Sequence, residues 1–374
     1  MKFASRWAVL SAIIVFAFGL RATVRAYAPL GHEMVGAIAD ERLANTPTAT
    51  QIHALLDGLS LERAAVIPDE IKGWDKKGAD DPRAIHYAGH RKIDKQLRDF
   101  WQANQPTHEV NLATPSHHWF HYSDVPLAPA QKYAGGTAGR SQWDIVHMIP
   151  YCVEVLQGRV PEQNERKITK AVAIILLAHY VGDIHQPLHV GAEYFDAQGR
   201  PVDPEKDKSA LADEGGNTFT LELGDQPSRG RGIRKKGFHV FWDYDAVNAL
   251  FPDVPQTLKN SEFQAEVEPL KRKLVHEMAT REPKNWRLPA NIDIKNYAEV
   301  WADEILPIAR EAHERLQFVR VHPEQEEDRT VAAGEADEKP QPDHVSYRQW
   351  ATNIVREELH KAGWRLADLL EKVL

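Results

Sequence analysis

Cysteine is nearly absent from this chain: Cys152 is the only one among 374 residues. A single thiol excludes an intramolecular disulfide, so rigidity must come from the hydrophobic core or from bound metal ions. An excess of basic residues is also lacking, because 46 Lys and Arg stand against 54 Asp and Glu, with a net charge of −8. This balance argues against a globally basic nucleic-acid-binding protein, so an anionic substrate would need a local basic patch or metal ions.

Long hydrophobic runs are missing apart from residues 7–20, which carry no charge. That run is shorter than the ~20 residues that span a bilayer comfortably. It follows Lys2 and Arg6 and precedes a Val-Arg-Ala sequence of the kind that signal peptidase cleaves. The pattern predicts a secretory signal peptide over residues 1–26, with Tyr27 as the new N-terminus. We therefore expect a secreted or periplasmic protein without a membrane segment after cleavage; the alternative is an uncleaved anchor.

Strand patterns are scarce, and hydrophobic periodicity predicts a mainly α fold: one compact multi-helix domain over residues 27–374 with long loops. The predicted helices are Leu30–Asn45, Trp143–Leu156, Glu165–Gln186, one from about Phe238, Ile292–Phe318 and Tyr347–Leu374. The alternating sequence NTFTLEL at 217–223 predicts one arm of a small β-hairpin. The acidic, Pro-rich stretch 321–344 is typical of a solvated, disordered segment. Since the helix after it has an apolar face, we expect residues 345–374 to pack back onto the same domain.

Histidine is abundant, with 18 residues, and it recurs at helical spacing with aspartate. His179 and Asp183 lie four residues apart in LLAHYVGDIHQPLH, so one helix face presents both. A buried pair of this kind is costly unless it is paired or bound to metal. His189 follows just past the predicted helix end, and His239 and Asp243 repeat the spacing in FHVFWDYD. Nitrogen and oxygen donors without thiolates favour catalytic zinc over structural zinc.

Three shorter motifs carry further candidate ligands. His32 lies in LGHEMV, Asp69 in VIPDEI, and His121 in PSHHWFHYSD. Each motif has a structural alternative when it is taken singly: a histidine can be a hydrogen-bonded core residue, and Asp69 can cap a helix. His239 and Asp243 can likewise form a surface pair. The joint pattern, rather than any one motif, favours a metal site.

In chain order, the motifs GHEMVGAIA, IPDEI, WFHYSD, HYVGDIHQPLH, EGGN, FHVFWD, VWADE and AGWRLADLL resemble a known family. They are similar to those of the zinc-dependent, single-strand-specific nucleases and 3′-nucleotidases of the S1/P1 type. The resemblance covers nearly the whole mature chain and implies a mostly helical domain that holds three zinc ions in a cleft. Because AGWRLADLL matches the family's last helix, the resemblance makes 321–344 an insertion rather than an interdomain linker.

The resemblance also implies roles for individual residues. A close pair of zinc ions would be bridged by Asp183 and held further by Asp69, His121, His179, His32 and the α-amino nitrogen and carbonyl oxygen of Tyr27. The third zinc would be held by His189, His239 and Asp243. The implied catalytic carboxylates are Asp69, Asp124 and Asp183, of which Asp124 would orient a ligating imidazole.

Two features bear on the substrate. Arg234, Lys235 and Lys236 end a basic stretch just before His239, which predicts contacts to a phosphate backbone; the alternative is a solvated loop. Asn217 of EGGN is a candidate contact beside the metals or a turn residue. Asp245 stands two residues after the last implied ligand, where the family often has Asn. Its carboxylate accepts hydrogen bonds only, which leaves the base preference open.

The function that the resemblance implies is an endonuclease acting on single-stranded DNA or RNA, with 5′-phosphate products and 3′-nucleotidase activity. Nucleic acid or 3′-nucleotides would be the substrates, and no stable protein partner is expected. A zinc-dependent phospholipase C is the nearest alternative, but its last ligand pair is His-x-x-x-Glu, whereas this chain has Asp243. A non-catalytic zinc-binding protein is a further alternative, disfavoured because every implied ligand position holds a competent group.

Overall fold

A computed structural model describes residues 27, 29–87, 89–105, 116–223, 236–326 and 329–374. The α-helices are α1 (Pro29–Leu43), α2 (Pro47–Leu55), α3 (Leu61–Ala64), α4 (Ile67–Lys72), α5 (Trp74–Lys77), α6 (Arg91–Ala103), α7 (Ile145–Leu156), α8 (Lys170–Asp183), α9 (Phe238–Val240), α10 (Ala246–Asn248), α11 (Asn260–Thr280), α12 (Tyr297–Glu314) and α13 (Tyr347–Val373). A π-helical turn, Phe241–Asp245, joins α9 to α10, and 3₁₀ turns lie at His117–His121, Tyr133–Gly135, Pro187–His189 and Ile294–Asn296. The strands are β1 (Val125–Pro126), β2 (Gly191–Ala192), β3 (Tyr194–Phe195), β4 (Leu211–Ala212), β5 (Phe219–Glu222), β6 (Lys236–Gly237), β7 (Leu316–Glu326) and β8 (Arg329–Glu338). The expectation of a mainly α fold is confirmed.

Helix α8 runs through the core. Every residue from Ala171 to Asp183 is buried, as expected for a helix that is apolar on all sides. The helix begins after Thr169, whose side chain accepts a hydrogen bond from the Val172 amide, and a proline at 187 follows its end. Because α8 packs against α1, α7 and α13, any polar side chain on it must find its partners inside the protein.

The last helix, α13, packs on α1, α8 and α11. A Cβ atom at Gly363 would come within 2.5 Å of Ile38, so the absence of a side chain allows α13 to approach α1 closely. Trp364 and Leu366 are buried at this contact. The apolar face of residues 345–374 thus covers the same core that contains α8.

Residues 321–344 differ from the sequence expectation of disorder. Strands β7 and β8 form an antiparallel hairpin, β8 pairs in parallel with β5, and β5 pairs with β6. The resulting sheet has the order β6-β5-β8-β7, so the predicted hairpin arm at 217–223 contains β5, one of its two inner strands. The acidic composition led to the wrong expectation of disorder. Small apolar residues between the acidic ones, including Ala332 and Ala336, are buried, while the charged ones stay accessible. We call this unit the β7–β8 hairpin.

The predicted signal peptide, residues 1–26, lies outside the described residues. Within the part of the chain that the structure describes, no helix is both long enough and apolar enough to cross a membrane.

Candidate metal centre

Five buried side chains from four segments meet beside α8. His179 and Asp183 lie on α8 itself, one turn apart. The other three are supplied by α1, α4 and the 3₁₀ turn at 117–121: His32, Asp69 and His121. All five are buried, so the helical spacing seen in the sequence places them inside the protein rather than on its surface.

The Asp183 carboxylate is the centre of this first cluster. Its Oδ1 lies 3.2 Å from Nε2 of His32, and its Oδ2 lies 3.0 Å from Nδ1 of His121 and 3.2 Å from Nε2 of His179. Asp69 stands on the far side of His179, with 3.8 Å between its Oδ1 and Nε2 of that ring. Since the two oxygens of Asp183 face different imidazoles, this carboxylate can serve two ions at once.

A second cluster contains His189, His239 and Asp243. Nε2 of His239 lies 3.1 Å from Nε2 of His189 and 3.6 Å from Oδ2 of Asp243. The other carboxylate oxygen, Oδ1, accepts a hydrogen bond of 3.0 Å from the Gln186 amide. All three candidate ligands are buried. The four-residue spacing of His239 and Asp243 spans α9 and the π-helical turn, which brings both to one side of the backbone.

Main-chain carbonyl groups fix three of the imidazoles. Nδ1 of His179, His189 and His239 lies 2.6, 2.8 and 2.7 Å from the carbonyl oxygens of Ala65, His121 and Gly215, respectively. A carbonyl oxygen only accepts, so each Nδ1 donates a proton and each neutral ring has a lone pair at Nε2. These contacts orient the ligand atoms inward, as metal-binding histidines require.

The donor atoms fit divalent metal ions. The Nε2 lone pairs of His189 and His239 face each other at 3.1 Å, an arrangement that repels unless a proton or a cation lies between them. Within the described residues, Nε2 of His121 is buried without a hydrogen-bond partner. Buried nitrogen and carboxylate donors that converge without thiolates match the chemistry of catalytic zinc sites.

The electrostatics of the second cluster also call for a cation. Burial raises the pKa of Asp243 well above its usual range; the Gln186 amide opposes this rise and the negative charge of Asp69 adds to it. Burial and the neighbouring His189 lower the pKa of His239 to about 3, so this ring is neutral at pH 7. A neutral imidazole cannot compensate the carboxylate, and the charge of Asp243 is therefore stable only beside a metal ion or another cation.

In the first cluster, the charges compensate one another. Burial would raise the pKa of Asp183, but His179 and the other imidazoles hold it well below its usual range. Burial would also raise the pKa of Asp69, but the Lys72 ammonium, whose Nζ is 2.8 Å from Oδ1, lowers it. Sequence reasoning missed Lys72, although its position three residues after Asp69 in the same helix was a readable signal.

Tyr27 lies beside the first cluster. Its ring is buried and packs edge-on against His32 with 6.3 Å between centroids, and its hydroxyl donates to the His185 carbonyl at 2.9 Å. The two side-chain contacts bring the main chain of residue 27 next to α1 and the end of α8. This is the location that a ligand role for the N-terminal residue requires.

The orienting role of Asp124 stays a prediction. In the described part of the chain its carboxylate makes no hydrogen bond to a histidine of either cluster, and its carbonyl accepts from the Tyr194 hydroxyl at 2.8 Å. The contacts that the structure gives to three of the imidazoles come from the carbonyl groups of Ala65, His121 and Gly215. Asp124 keeps an unusual environment, since burial raises its pKa to about 7 against the opposing charge of Arg329.

The candidate substrate residues are only partly described. Asn217 donates from its amide to the Glu214 carbonyl at 2.7 Å, which is the turn role. Lys236 forms an ion pair with Asp245, so the charges of these two side chains compensate each other. Arg234 and Lys235 lie outside the described residues.

Asp75 is a further residue that sequence reasoning missed. Its Oδ2 lies 2.6 Å from Nε2 of His118 and 3.4 Å from Nε2 of His117, and its Oδ1 accepts from the Trp101 indole at 2.7 Å. Helices α5 and α6 are thereby tied to the 3₁₀ turn that ends at His121. The network holds the segment that carries a candidate ligand.

Comparisons with known proteins find a family model and curated relatives for this chain. A family model described as S1/P1 nuclease matches residues 27–374. Endonuclease 2 of Arabidopsis thaliana is 25% identical over 179 residues, which are 46% of this chain and 50% of that protein. Endonuclease 4 of Arabidopsis thaliana is 30% identical over 111 residues, 30% of this chain and 27% of that protein. The chain thus spans half or less of the length of these curated relatives.

Proposed function

Because this chain belongs to the S1/P1 nuclease family, we propose that it is a secreted, zinc-dependent endonuclease that cleaves single-stranded DNA and RNA. The proposal includes 5′-phosphate products and removal of phosphate from 3′-nucleotides. The observation that carries it is the convergence of buried His and Asp side chains in two clusters, where the candidate ligand atoms of each three-residue group lie within 4.8 Å of one another. Family membership supplies the reaction class, a phosphoester hydrolysis, and the buried donor atoms of the two clusters support the proposal that it takes place there.

The two clusters together would hold three zinc ions. Asp183 would bridge a pair held also by Asp69, His179, His121, His32 and the main chain of Tyr27. The second cluster, His189, His239 and Asp243, would hold the third. Bound zinc supplies a water of lowered pKa and compensates the negative charge that develops on the phosphate oxygens.

The protein's own groups prepare this site. Three carbonyl groups hold three of the histidine rings in the tautomer whose Nε2 points inward, so these rings need no reorientation when metal ions bind. Lys72 brings a buried positive charge next to Asp69. The protein has a net charge of −8. The positive charge of Lys72 and the bound metals would therefore favour an anionic phosphodiester at this place over the rest of the surface.

The test is a substrate panel with the protein that begins at Tyr27, loaded with zinc. We expect hydrolysis of single-stranded DNA, RNA and 3′-AMP, 5′-phosphate ends on the products, and loss of activity after zinc is chelated. Phosphatidylcholine cleavage without nucleic-acid cleavage would favour the phospholipase alternative. Zinc binding without any hydrolysis would favour a non-catalytic protein.

A further inference from the structure

The β7–β8 hairpin brings Arg329 next to segments that adjoin the candidate metal centre. Arg329 is the first residue of β8, and its Nε lies 2.6 Å from Oε1 of Glu214; Tyr122 is also among the side chains beside its guanidinium. Tyr122 directly follows the candidate ligand His121. Glu214 directly precedes Gly215, whose carbonyl orients a ring of the second cluster. Arg329 therefore links the two segments that adjoin the two clusters.

An aromatic face lies beside this cation. The guanidinium carbon of Arg329 is 5.8 Å from the ring centroid of Trp119, which belongs to the same 3₁₀ turn as His121. The Trp119 ring is partly exposed, and 42% of the Arg329 side chain is accessible to solvent. A cation and an indole are thus accessible together at the edge of the centre.

Arg329 is a cation among acidic neighbours, so it is the group that an anion would contact at this edge of the candidate centre. Its described neighbours Glu214 and Asp124 are both acidic, and the whole chain is acidic. A guanidinium has five N–H donors in a planar fork, more than one carboxylate and one phenol oxygen engage in line. Donors and exposed surface therefore remain for a phosphate oxygen, which the fork fits well.

We propose that Arg329 and Trp119 form a nucleotide subsite next to the metal centre. The guanidinium binds a backbone phosphate other than the one that is cleaved, and the indole stacks on an unpaired base. Glu214 holds the guanidinium when no substrate is bound, and the phosphate replaces this carboxylate. The inference rests on the proposed function, since it requires a polynucleotide substrate, and it gives the hairpin a role in substrate length and strandedness.

The first experiment compares Arg329→Ala with wild type on a single-stranded decanucleotide and on 3′-AMP. We expect KM for the decanucleotide to rise about tenfold with kcat unchanged, because one charge-assisted contact to bound substrate is lost. The slope of log KM against log salt should fall by about 0.7, the value for one phosphate contact on a single strand. Kinetics with 3′-AMP should not change, because a mononucleotide does not reach the subsite.

The matched control is Arg320→Ala. Arg320 lies on the same hairpin and is ion-paired with Glu335, but its partner is on the sheet. This variant should leave KM and the salt slope for both substrates at wild-type values. Trp119→Leu should raise KM for the decanucleotide without changing the salt slope, because stacking releases no counterion.

Glu214→Gln distinguishes a substrate-binding role of Arg329 from a purely structural role. If phosphate competes with Glu214 for Arg329, the weaker neutral competitor lowers KM for the decanucleotide, the opposite of the Arg329→Ala effect. If Arg329 only braces the loops, both variants impair 3′-AMP hydrolysis and zinc content alike, which would overturn the subsite. Unchanged decanucleotide KM in Arg329→Ala would overturn it too. Wild-type protein that cleaves no polynucleotide would instead refute the proposed function, and the subsite with it.

Discussion

At the scale of single residues, main-chain carbonyl groups determine what the histidines of the centre can do. In His239, for example, Nδ1 donates to the Gly215 carbonyl, and burial lowers the pKa of the ring, so its Nε2 has a lone pair at pH 7. The carboxylates then provide the negative charge of the site. Asp183 is the one whose two oxygens face different imidazoles, so its replacement is the sharpest test of the ligand set.

Asp183→Asn should abolish turnover while the protein stays folded. The amide keeps the shape of the carboxylate but removes the charge that would hold two ions, so we expect kcat to fall by roughly 10³-fold or more. Elemental analysis should find fewer zinc ions per chain than in wild type. Asp99→Asn, at a more exposed helical aspartate, is the control and should change neither quantity. Full activity with full zinc content in Asp183→Asn would exclude the bridging role.

A second residue-scale prediction concerns His313, a buried histidine away from the two clusters. Its Nδ1 lies 2.8 Å from the Ala309 carbonyl and its Nε2 lies 2.9 Å from Oδ2 of Asp213, so both nitrogens donate and the ring is an imidazolium. Burial would lower its pKa, but the Asp213 carboxylate outweighs burial and raises the pKa above its usual value. The charged pair therefore stabilises the fold below about pH 6.5, the ordinary histidine pKa, and this stability is lost as pH rises through the raised pKa.

The measurement is urea unfolding of wild type and His313→Gln at pH 6 and pH 9, with equal zinc. We expect the free energy of unfolding of wild type to exceed that of the variant at pH 6, and this difference to shrink by on the order of 1 kcal/mol at pH 9. A difference that does not depend on pH would mean that the ring is not charged in the folded protein.

At the scale of elements, helices and short turns together position the candidate centre. Helix α8 supplies His179 and Asp183, but His121 ends a 3₁₀ turn and His189 ends another. The loop at 214–216 adds a carbonyl rather than a side chain. Such segments hold their shape only where the backbone conformation is available, and here glycine provides it.

Gly215→Ala should disrupt the second cluster. Gly215 has φ +59°, and a Cβ atom there would lie 2.1 Å from the Leu188 carbonyl oxygen and 3.5 Å from Nδ1 of His239. The loop must move, so its carbonyl no longer orients that ring. We expect elemental analysis to show less zinc per chain. The free energy of unfolding, measured by thermal denaturation, should fall by about 2 kcal/mol more than in the control.

The control is Gly158→Ala. Gly158 also has positive φ, +73°, but a Cβ atom there would meet no heavy atom within 4 Å. The substitution to Ala should lower the free energy of unfolding only by the left-handed backbone strain, about 1 kcal/mol, and should leave the zinc content unchanged. Equal effects of the two substitutions would show that strain, not the close approach to Leu188, governs the loop.

At the scale of the whole molecule, the two ends of the described chain meet at His185. Arg365 of α13 contributes Nη1 at 2.9 Å from Nε2 of His185 and is itself held by Glu304 and the Trp286 carbonyl. Tyr27 donates to the carbonyl of the same histidine. The last helix therefore supports the end of α8, against which the first described residue rests.

This arrangement predicts that the N-terminus must be freed for activity. A free α-amine near pKa ~8 can bind zinc after losing a proton, whereas an amide nitrogen has no basic lone pair. Protein that begins at Tyr27 should bind three zinc ions, and protein that retains Ala26 should lose one zinc and most activity. Tyr27→Trp should stay active because the ligating atoms are main-chain atoms. Three bound zinc ions and full activity in the extended form would exclude the N-terminus as a ligand.

The sequence alone predicted the helical class, the candidate ligands and the helices α1 and α8 that carry three of them, but not α4, which carries Asp69. Period and spacing are local properties, so they place His179 and Asp183 on one face of a buried helix without reference to any tertiary contact. Ordered motifs then connected residues as distant as His32 and Asp243, although motif order carries no information about their separation in space. The limits of α8 differed by a few residues because capping by Thr169, not apolar content, sets where the helix starts.

Which groups complete the candidate centre depends on the folded arrangement of distant segments. The carbonyl groups of Ala65 and Gly215 orient imidazoles, and no sequence pattern marks a carbonyl group for that task, because every residue has one. Likewise, residues 321–344 are acidic enough to suggest disorder, yet their backbone pairs with β5, and pairing between distant strands depends on the fold. That pairing is what brings Arg329 to Glu214 and Tyr122, because a contact between residues so far apart in sequence exists only once the chain has folded around both.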